Sequence, residues 1–353
     1  MINIALLKEI CEESGAPGFE ENIRKIVLRE VEGLVDSIEI DNLGNVITLK
    51  KGNLPEAERK KVMAAAHMDE IGFIVTHIDD KGFLRFHTLG GFDPKTLTAQ
   101  RVIVHGKKDL VGVMGSKPIH VMTPEERNQP VKMSSYFIDM GMSKEEVEKH
   151  ISIGDSITRD RELIEMGDCI NCKSIDNRVS VFILIETLRN LKGKSIPHEF
   201  YGVFTVQEEV GLRGANVSAH TINPDFGIGI DTTIAYDVPN AAPHEYVTEL
   251  GKGVAIKVMD ASTICDTRIV QFMKDIATKN EIVWQPEILT AGGTDTAGLQ
   301  RMGKNGSIAG AISIPTRHIH QVIEMCHKED VNGAIQLLEA MLVNMADFNY
   351  SWK

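Results

Sequence analysis

The sequence predicts an α/β fold: a mixed central sheet with helices on both faces, interrupted by an inserted β-rich domain. Three observations carry this. Short continuous apolar runs at Val62 to Ala66, Tyr201 to Val206, Phe226 to Ile230 and Ile308 to Ile314 suit strands buried on both faces of a largely parallel sheet. Helical stretches alternate with these runs. Between about Ile71 and Ile164 that alternation stops, and short strand-like pieces follow one another across Gly and Asp-Lys-Gly turns. A chain of 353 residues is long for one core, so a large domain plus a smaller one is expected. The expected division is 1–70 and 166–353 for the main domain and 71–165 for the insertion.

In order along the chain, Ile4 to Ser14 is an amphipathic helix, ended by the turn Gly15-Ala16-Pro17-Gly18. A second helix spans Glu20 to Glu32. Ser37 to Asp41 and Asn45 to Lys50 form a hairpin about Leu43-Gly44. Strands of the insertion are expected at Gly72 to His77, Phe83 to Thr88, Arg101 to His105 and Leu110 to Met114, with one helix near Lys144 to His150. The main domain resumes with a helix from Asp176 to Leu191, whose near-continuous apolar face implies burial. Strands follow at Glu199 to Val206, Phe226 to Ile230, Val254 to Val258, Glu287 to Leu289 and Ile308 to Ile314. Helices are expected near Thr267 to Asn280 and Glu329 to Asp347.

Composition narrows the function classes. The net charge of −12 argues against nucleic acid or an anionic membrane as a partner. No apolar run approaches the ~20 residues of a membrane span. The N-terminal helix mixes Lys8, Glu9, Glu12 and Glu13 with its apolar residues, unlike a secretory leader. Five unevenly spaced cysteines fit reduced thiols and a cytoplasmic location. Cys169 and Cys172 form a lone C-x-x-C without the second pair that a four-cysteine zinc site needs, and are read as incidental.

The chemistry is expected where strands end, because ligands of open α/β sheets gather there. His67 and Asp69 follow one apolar run, Glu208 and Glu209 another, and Asp231 a third. Asp176 opens the long helix, and His320 follows the last run. Imidazole and carboxylate donors suit Zn²⁺, Co²⁺ or Mn²⁺. Two such ions can polarise a carbonyl and activate water, provided a carboxylate bridges them and another, off the metals, carries the proton. An adjacent glutamate pair also raises glycosidase chemistry. Neighbours on one short loop do not naturally flank a sugar at ~5–9.5 Å, and the histidines would then have no role. Each residue has a plainer reading when taken alone: a core histidine, a solvated charge pair, a helix cap. The weight lies in the set. Pro243-His244-Glu245-Tyr246 lacks the second histidine of an H-E-x-x-H helix, and His77, His87, His105 and His120 are read as structural.

The stretches Ala66-His67-Met68-Asp69-Glu70, Ser174-Ile175-Asp176-Asn177-Arg178, Gln207-Glu208-Glu209-Val210-Gly211, Gly229-Ile230-Asp231 and Ile314 to His320 occur in one order over nearly the whole chain. Asp41-Asn42-Leu43-Gly44-Asn45 and Gly292-Gly293-Thr294-Asp295 accompany them. In these the chain resembles the tetrahedral aminopeptidases, a family that includes glutamyl and deblocking aminopeptidases, some once labelled endoglucanases. The resemblance implies a zinc-peptidase-like fold with a barrel or PDZ-like dimerisation domain inserted. It implies a cytoplasmic aminopeptidase that removes N-terminal residues from oligopeptides with two divalent metal ions, zinc or cobalt foremost and manganese possible. His67, Asp176 and Asp231 would hold one ion. Asp176 would bridge to the second, held also by Glu209 and His320. Glu208 would be the general base, and Asp69 would orient His67. Gly292, Gly293, Thr294 and Asp295 would lie near the substrate. Dimers building to a twelve-subunit shell are implied in the same way. The family has an aromatic where this chain has His318. On an extended segment His318 and His320 would point to opposite sides, and the family pattern selects His320.

Overall fold

A computed structural model describes residues 2–352. The strands, in chain order, are β1 (Ser37–Ile40), β2 (Val46–Lys50), β3 (Lys61–His67), β4 (Gly72–Ile78), β5 (Leu84–Leu89), β6 (Arg101–His105), β7 (Asp109–Gly115), β8 (Phe137–Asp139) and β9 (Ser156–Arg159). They continue with β10 (Ile164–Met166), β11 (Cys169–Cys172), β12 (Glu199–Thr205), β13 (Phe226–Ile234), β14 (Val254–Met259), β15 (Trp284–Ile288), β16 (Ile308–Arg317) and β17 (Glu324–His327). An eleven-stranded mixed sheet runs β1-β2-β12-β3-β13-β16-β17-β11-β10, with β14 and β15 branching from β16. Its centre, β12, β3, β13 and β16, is parallel. Strands β4 to β9 close a separate six-stranded barrel in the order β4-β5-β8-β7-β6-β9.

Strict alternation along the central strands explains why both faces are covered. Val62, Ala64 and Ala66 of β3 and Phe226, Ile228 and Ile230 of β13 join the larger core, beneath the buried helix Ile175–Asn190. Met63 and Ala65 face the other way, into a smaller core with Ala215, Ala219 and Leu299 from the helices Arg213–Ile222 and Thr296–Met302. Gly229 of β13 lies on this second face, where an added Cβ would meet Thr296 Oγ1 at 1.9 Å, so the helix Thr296–Met302 lies directly on the strand. The barrel has its own core of Phe73, Val75, Val102, Val104, Ile138 and Ile157.

Several elements differ from expectation. The helices Arg213–Ile222 and Thr296–Met302 and the short strands β8, β9, β10, β11 and β17 are additional to those expected. The strand expected at Glu287 to Leu289 is β15, Trp284–Ile288. β13 continues to Ile234, so Asp231 lies within the strand rather than just after it. The helix Ile175–Asn190 has non-helical backbone at Asp176 and Asn177, joined by a cis peptide bond. His318 and His320 are not on an extended segment: β16 ends at Arg317, and both histidines take positive φ, 64° and 59°, in the turn beyond it.

Candidate active site

The site opens where two parallel strands part. β3 pairs with β12 through Thr205↔His67, but its pairing with β13 stops at Gly229↔Ala65. His67 and Asp231 therefore flank a crevice at the carboxyl edge, both on the Ala65 and Gly229 side of their strands. The start of the helix Ile175–Asn190 meets this crevice from the larger-core face. Asn177 Nδ2 donates to the carbonyl of Ile230 at 2.9 Å, tying the start of the helix to β13 beside the parting. Asp176, one residue earlier, stands between the two histidines. One of its oxygens is 3.4 Å from His67 Nε2 and the other 3.5 Å from His320 Nε2.

The remaining acids close around this axis. Asp231 Oδ1 and Glu208 Oε2 lie 3.9 and 3.8 Å from His67 Nε2, and Glu209 Oε2 lies 3.4 Å from His320 Nε2. Two triads have ligand atoms mutually within 4.8 Å: His67, Asp176 and Glu209, and His67, Glu208 and Asp231. His320 joins through its contacts with Asp176 and Glu209. His318 is exposed. Asp69 is fully buried, and its two oxygens accept the main-chain N–H groups of Glu208 and Glu209 at 3.0 and 3.1 Å. His67 Nδ1 meets the Asp69 main-chain oxygen at 3.0 Å and its carboxylate at 3.4 Å. Asp69 thus touches His67 mainly through its backbone, and its side chain fixes the glutamate pair.

The loop carrying that pair is braced elsewhere. Asn45 Oδ1 accepts the Val206 N–H at 3.0 Å, and its amide donates to Asp41 and to Gly214 O. Buried Glu20 accepts the N–H groups of Gly18 and Gln207 at 2.8 and 3.1 Å. Gly292, Gly293 and Thr294 line a cavity of about 930 Å³ that opens over the site, and Asp295 is buried beneath them, accepting from Thr205 Oγ1. Lys257 lines the far wall, its ammonium 2.9 Å from Asp260 and 3.1 Å from Glu287.

Electrostatically the site is overloaded with negative charge. Burial pushes Glu208 and Asp231 well above the ordinary carboxylate range, Glu209 up to about 7 and Asp295 up to about 6. Asp176 goes the other way: burial opposes its ionisation, but hydrogen bonds from His320 and His67 outweigh it. Burial also opposes charge on the histidines, yet the acids win. His67 is raised well above its usual value, chiefly by Glu208, and His320 to about 9, chiefly by Asp176. Glu209 Oε1 is buried with no hydrogen-bond partner. An excess of buried oxygen donors beside two imidazoles, with one oxygen unspent, is a donor set that fits divalent cations.

The family this chain matches makes it a peptide hydrolase. The model of the M42 glutamyl aminopeptidase family matches residues 44–337, and the chain belongs to that family of aminopeptidases. An aminopeptidase of the archaeon Desulfurococcus kamchatkensis superposes with a TM-score of 0.92 at 38% identity, over 97% of this chain and 94% of that one. The TET1 peptidase of Pyrococcus horikoshii, which can assemble into a tetrahedron or a large octahedral shell, matches with a TM-score of 0.85 at 31% identity, over 96% and 98%. A lysyl aminopeptidase of Pyrococcus furiosus is 33% identical over 359 aligned positions, 99% of this chain and 100% of its own.

Two residues at the site are absent from the set expected from the sequence. Glu324 on β17 and Arg159 on β9 are buried beside the histidine turn. A lone acid in the apolar stretch Val322 to Cys326 was the available clue to Glu324.

Proposed function

We propose that this aminopeptidase is a dinuclear metalloenzyme that removes N-terminal residues from oligopeptides, with Glu208 as general base. The observation that carries the reading is the position of Asp176, whose two oxygens face His67 on one side and His320 on the other. His67, Asp176 and Asp231 would hold one cation, and Asp176, Glu209 and His320 the second. Zinc or cobalt suits these donors best, with manganese a third choice. Cations bound here would polarise the scissile carbonyl and acidify the attacking water. Glu208 takes the water's proton and returns it to the leaving amine. Asp69 keeps the glutamate pair aimed by gripping both of its N–H groups. Gly292 and Gly293, without side chains, let the peptide backbone approach along the cavity wall, with Thr294 and Asp295 beneath.

The barrel, residues 71–165 with its junctions, is proposed as the self-association domain. Val111 and Val113 on β7 and Ile119 and Val121 just beyond it are 43–63% exposed, apolar side chains that a second copy would cover. A shell such as that of the horikoshii peptidase is the assembly proposed. The five free cysteines agree with a cytoplasmic location.

The test is Glu208→Gln in protein loaded with Zn²⁺, Co²⁺ or Mn²⁺. Turnover of an unblocked aminoacyl panel is expected to fall about 10²–10⁴-fold, with both ions still present by elemental analysis. Full activity in the variant would remove Glu208 from the mechanism. Wild-type protein inactive on every unblocked substrate with every metal would sink the whole reading.

A further inference from the structure

Glu324 touches none of the atoms that the reaction changes, yet it grips two residues that face each other across the site. It is fully buried on β17. Its Oε2 accepts the main-chain N–H of Asp176 at 2.7 Å, and its Oε1 accepts that of His320 at 3.2 Å. Asp176 arrives at the start of a helix and His320 in the turn after β16, so nothing local fixes one against the other. Their side chains nevertheless meet at 3.5 Å. Asp69 performs the corresponding grip on Glu208 and Glu209. Behind Glu324 stands Arg159, contributed by the last strand of the barrel. Its guanidinium lies 3.7 Å from Glu324 Oε1, donates to the carbonyl of Gln321 at 2.5 Å, and reaches Glu70 at 3.5 Å.

We propose that Glu324 is a positioning residue for the second cation, that it sets the spacing of Asp176 and His320, and that Arg159 ties this grip to the inserted barrel. The proposal rests on the reading that Asp176, Glu209 and His320 hold an ion. A carboxylate is the required group because it accepts at both oxygens and carries no donor. The isosteric amide keeps one acceptor and turns an N–H₂ group toward the other backbone N–H, so it breaks one of the two bonds at unchanged volume. A residue present only for packing would tolerate that exchange.

The experiment titrates metal-depleted full-length protein with Co²⁺, following calorimetric stoichiometry and visible absorption, in wild type, Glu324→Gln, Glu324→Asp and Arg159→Lys. Wild type is expected to take two ions per chain. Glu324→Gln should weaken binding of the first ion, which shares Asp176, by only a few-fold and of the second by about 10- to 100-fold, the usual cost of losing an outer partner of a metal ligand. The absorption of the second step should change, and kcat should fall while KM moves little. Glu324→Asp, which keeps both acceptors, should recover part of the second ion's affinity. Arg159→Lys should weaken the same step by less. Two ions bound by Glu324→Gln as in wild type, with an unchanged spectrum, would overturn the proposal. So would equal weakening of both steps with a lowered melting temperature, or Glu324→Asp no better than Gln. A wild-type chain that takes a single ion would instead overturn the two-cation reading beneath it.

Discussion

Glu20 shows how a buried acid can brace a site and still leave a trace in stability. Burial, with the Asp69 charge nearby, raises its carboxyl from 4.5 to about 7. The unfolded chain releases this proton near pH 4.5, and the folded chain holds it to about 7. Between those values the folded state binds more protons, so stability from this group is greatest below the lower value and falls as pH rises through the upper one. Glu20→Gln keeps an oxygen for the Gly18 and Gln207 N–H groups but cannot ionise. Denaturation midpoints of metal-depleted protein between pH 5 and pH 8 should therefore fall less steeply in the variant. Identical slopes would show that Glu20 is ionised throughout.

The strands delivered their residues where the apolar runs end, and the reason is physical. A parallel strand covered on both faces must be apolar throughout, so its first polar residue marks the edge of the sheet. That is why His67 and the glutamate pair were legible as a candidate site. Asp231 was legible as a residue but not in its setting: β13 runs on to Ile234 along β16, and the parting from β3 that exposes Asp231 leaves no mark in either strand's sequence. The turn holding His320 defeats an argument from strand alternation because departures to positive φ at His318 and His320 reset the side-chain directions. The role of Glu324 was illegible for another reason. It acts on backbone N–H groups, which every sequence supplies. Asn45 is architectural: its side chain bonds the main chain of Val206 and Gly214. Asn45→Ala strands the buried Val206 N–H at a cost of about 1–3 kcal/mol. The unfolding midpoint should drop accordingly and kcat should fall with it. Unchanged stability would mean that a water or a loop shift replaces the amide.

With its acids crowded beside two histidines, the folded chain is a poor host for itself and a good one for cations. Ions bound to the folded state alone stabilise it by mass action, about 2.7 kcal/mol for each site at a hundredfold excess over Kd. Melting temperature should therefore rise with Zn²⁺, Co²⁺ or Mn²⁺ and fall with a chelator. Calcium, which prefers six to eight oxygen ligands, should do little. A melting temperature indifferent to chelator and to all of these ions would exclude the cation sites. Among the described residues no helix is long and apolar enough to cross a membrane.

The barrel has a consequence for anyone who would treat it as a module. The chain leaves the main sheet at His67 and enters the barrel at Gly72; it returns through Arg159 and, after a short hairpin, reaches Asp176. Both seams of the barrel segment thus lie beside the candidate site. Replacing the barrel with that of a relative, or deleting it to obtain a minimal enzyme, cuts the chain beside His67 and removes the guanidinium behind Glu324. The part that looks most like an accessory is the part whose graft points have the least tolerance, and chimeras should be joined within β4 and β9 rather than at the visible domain boundary.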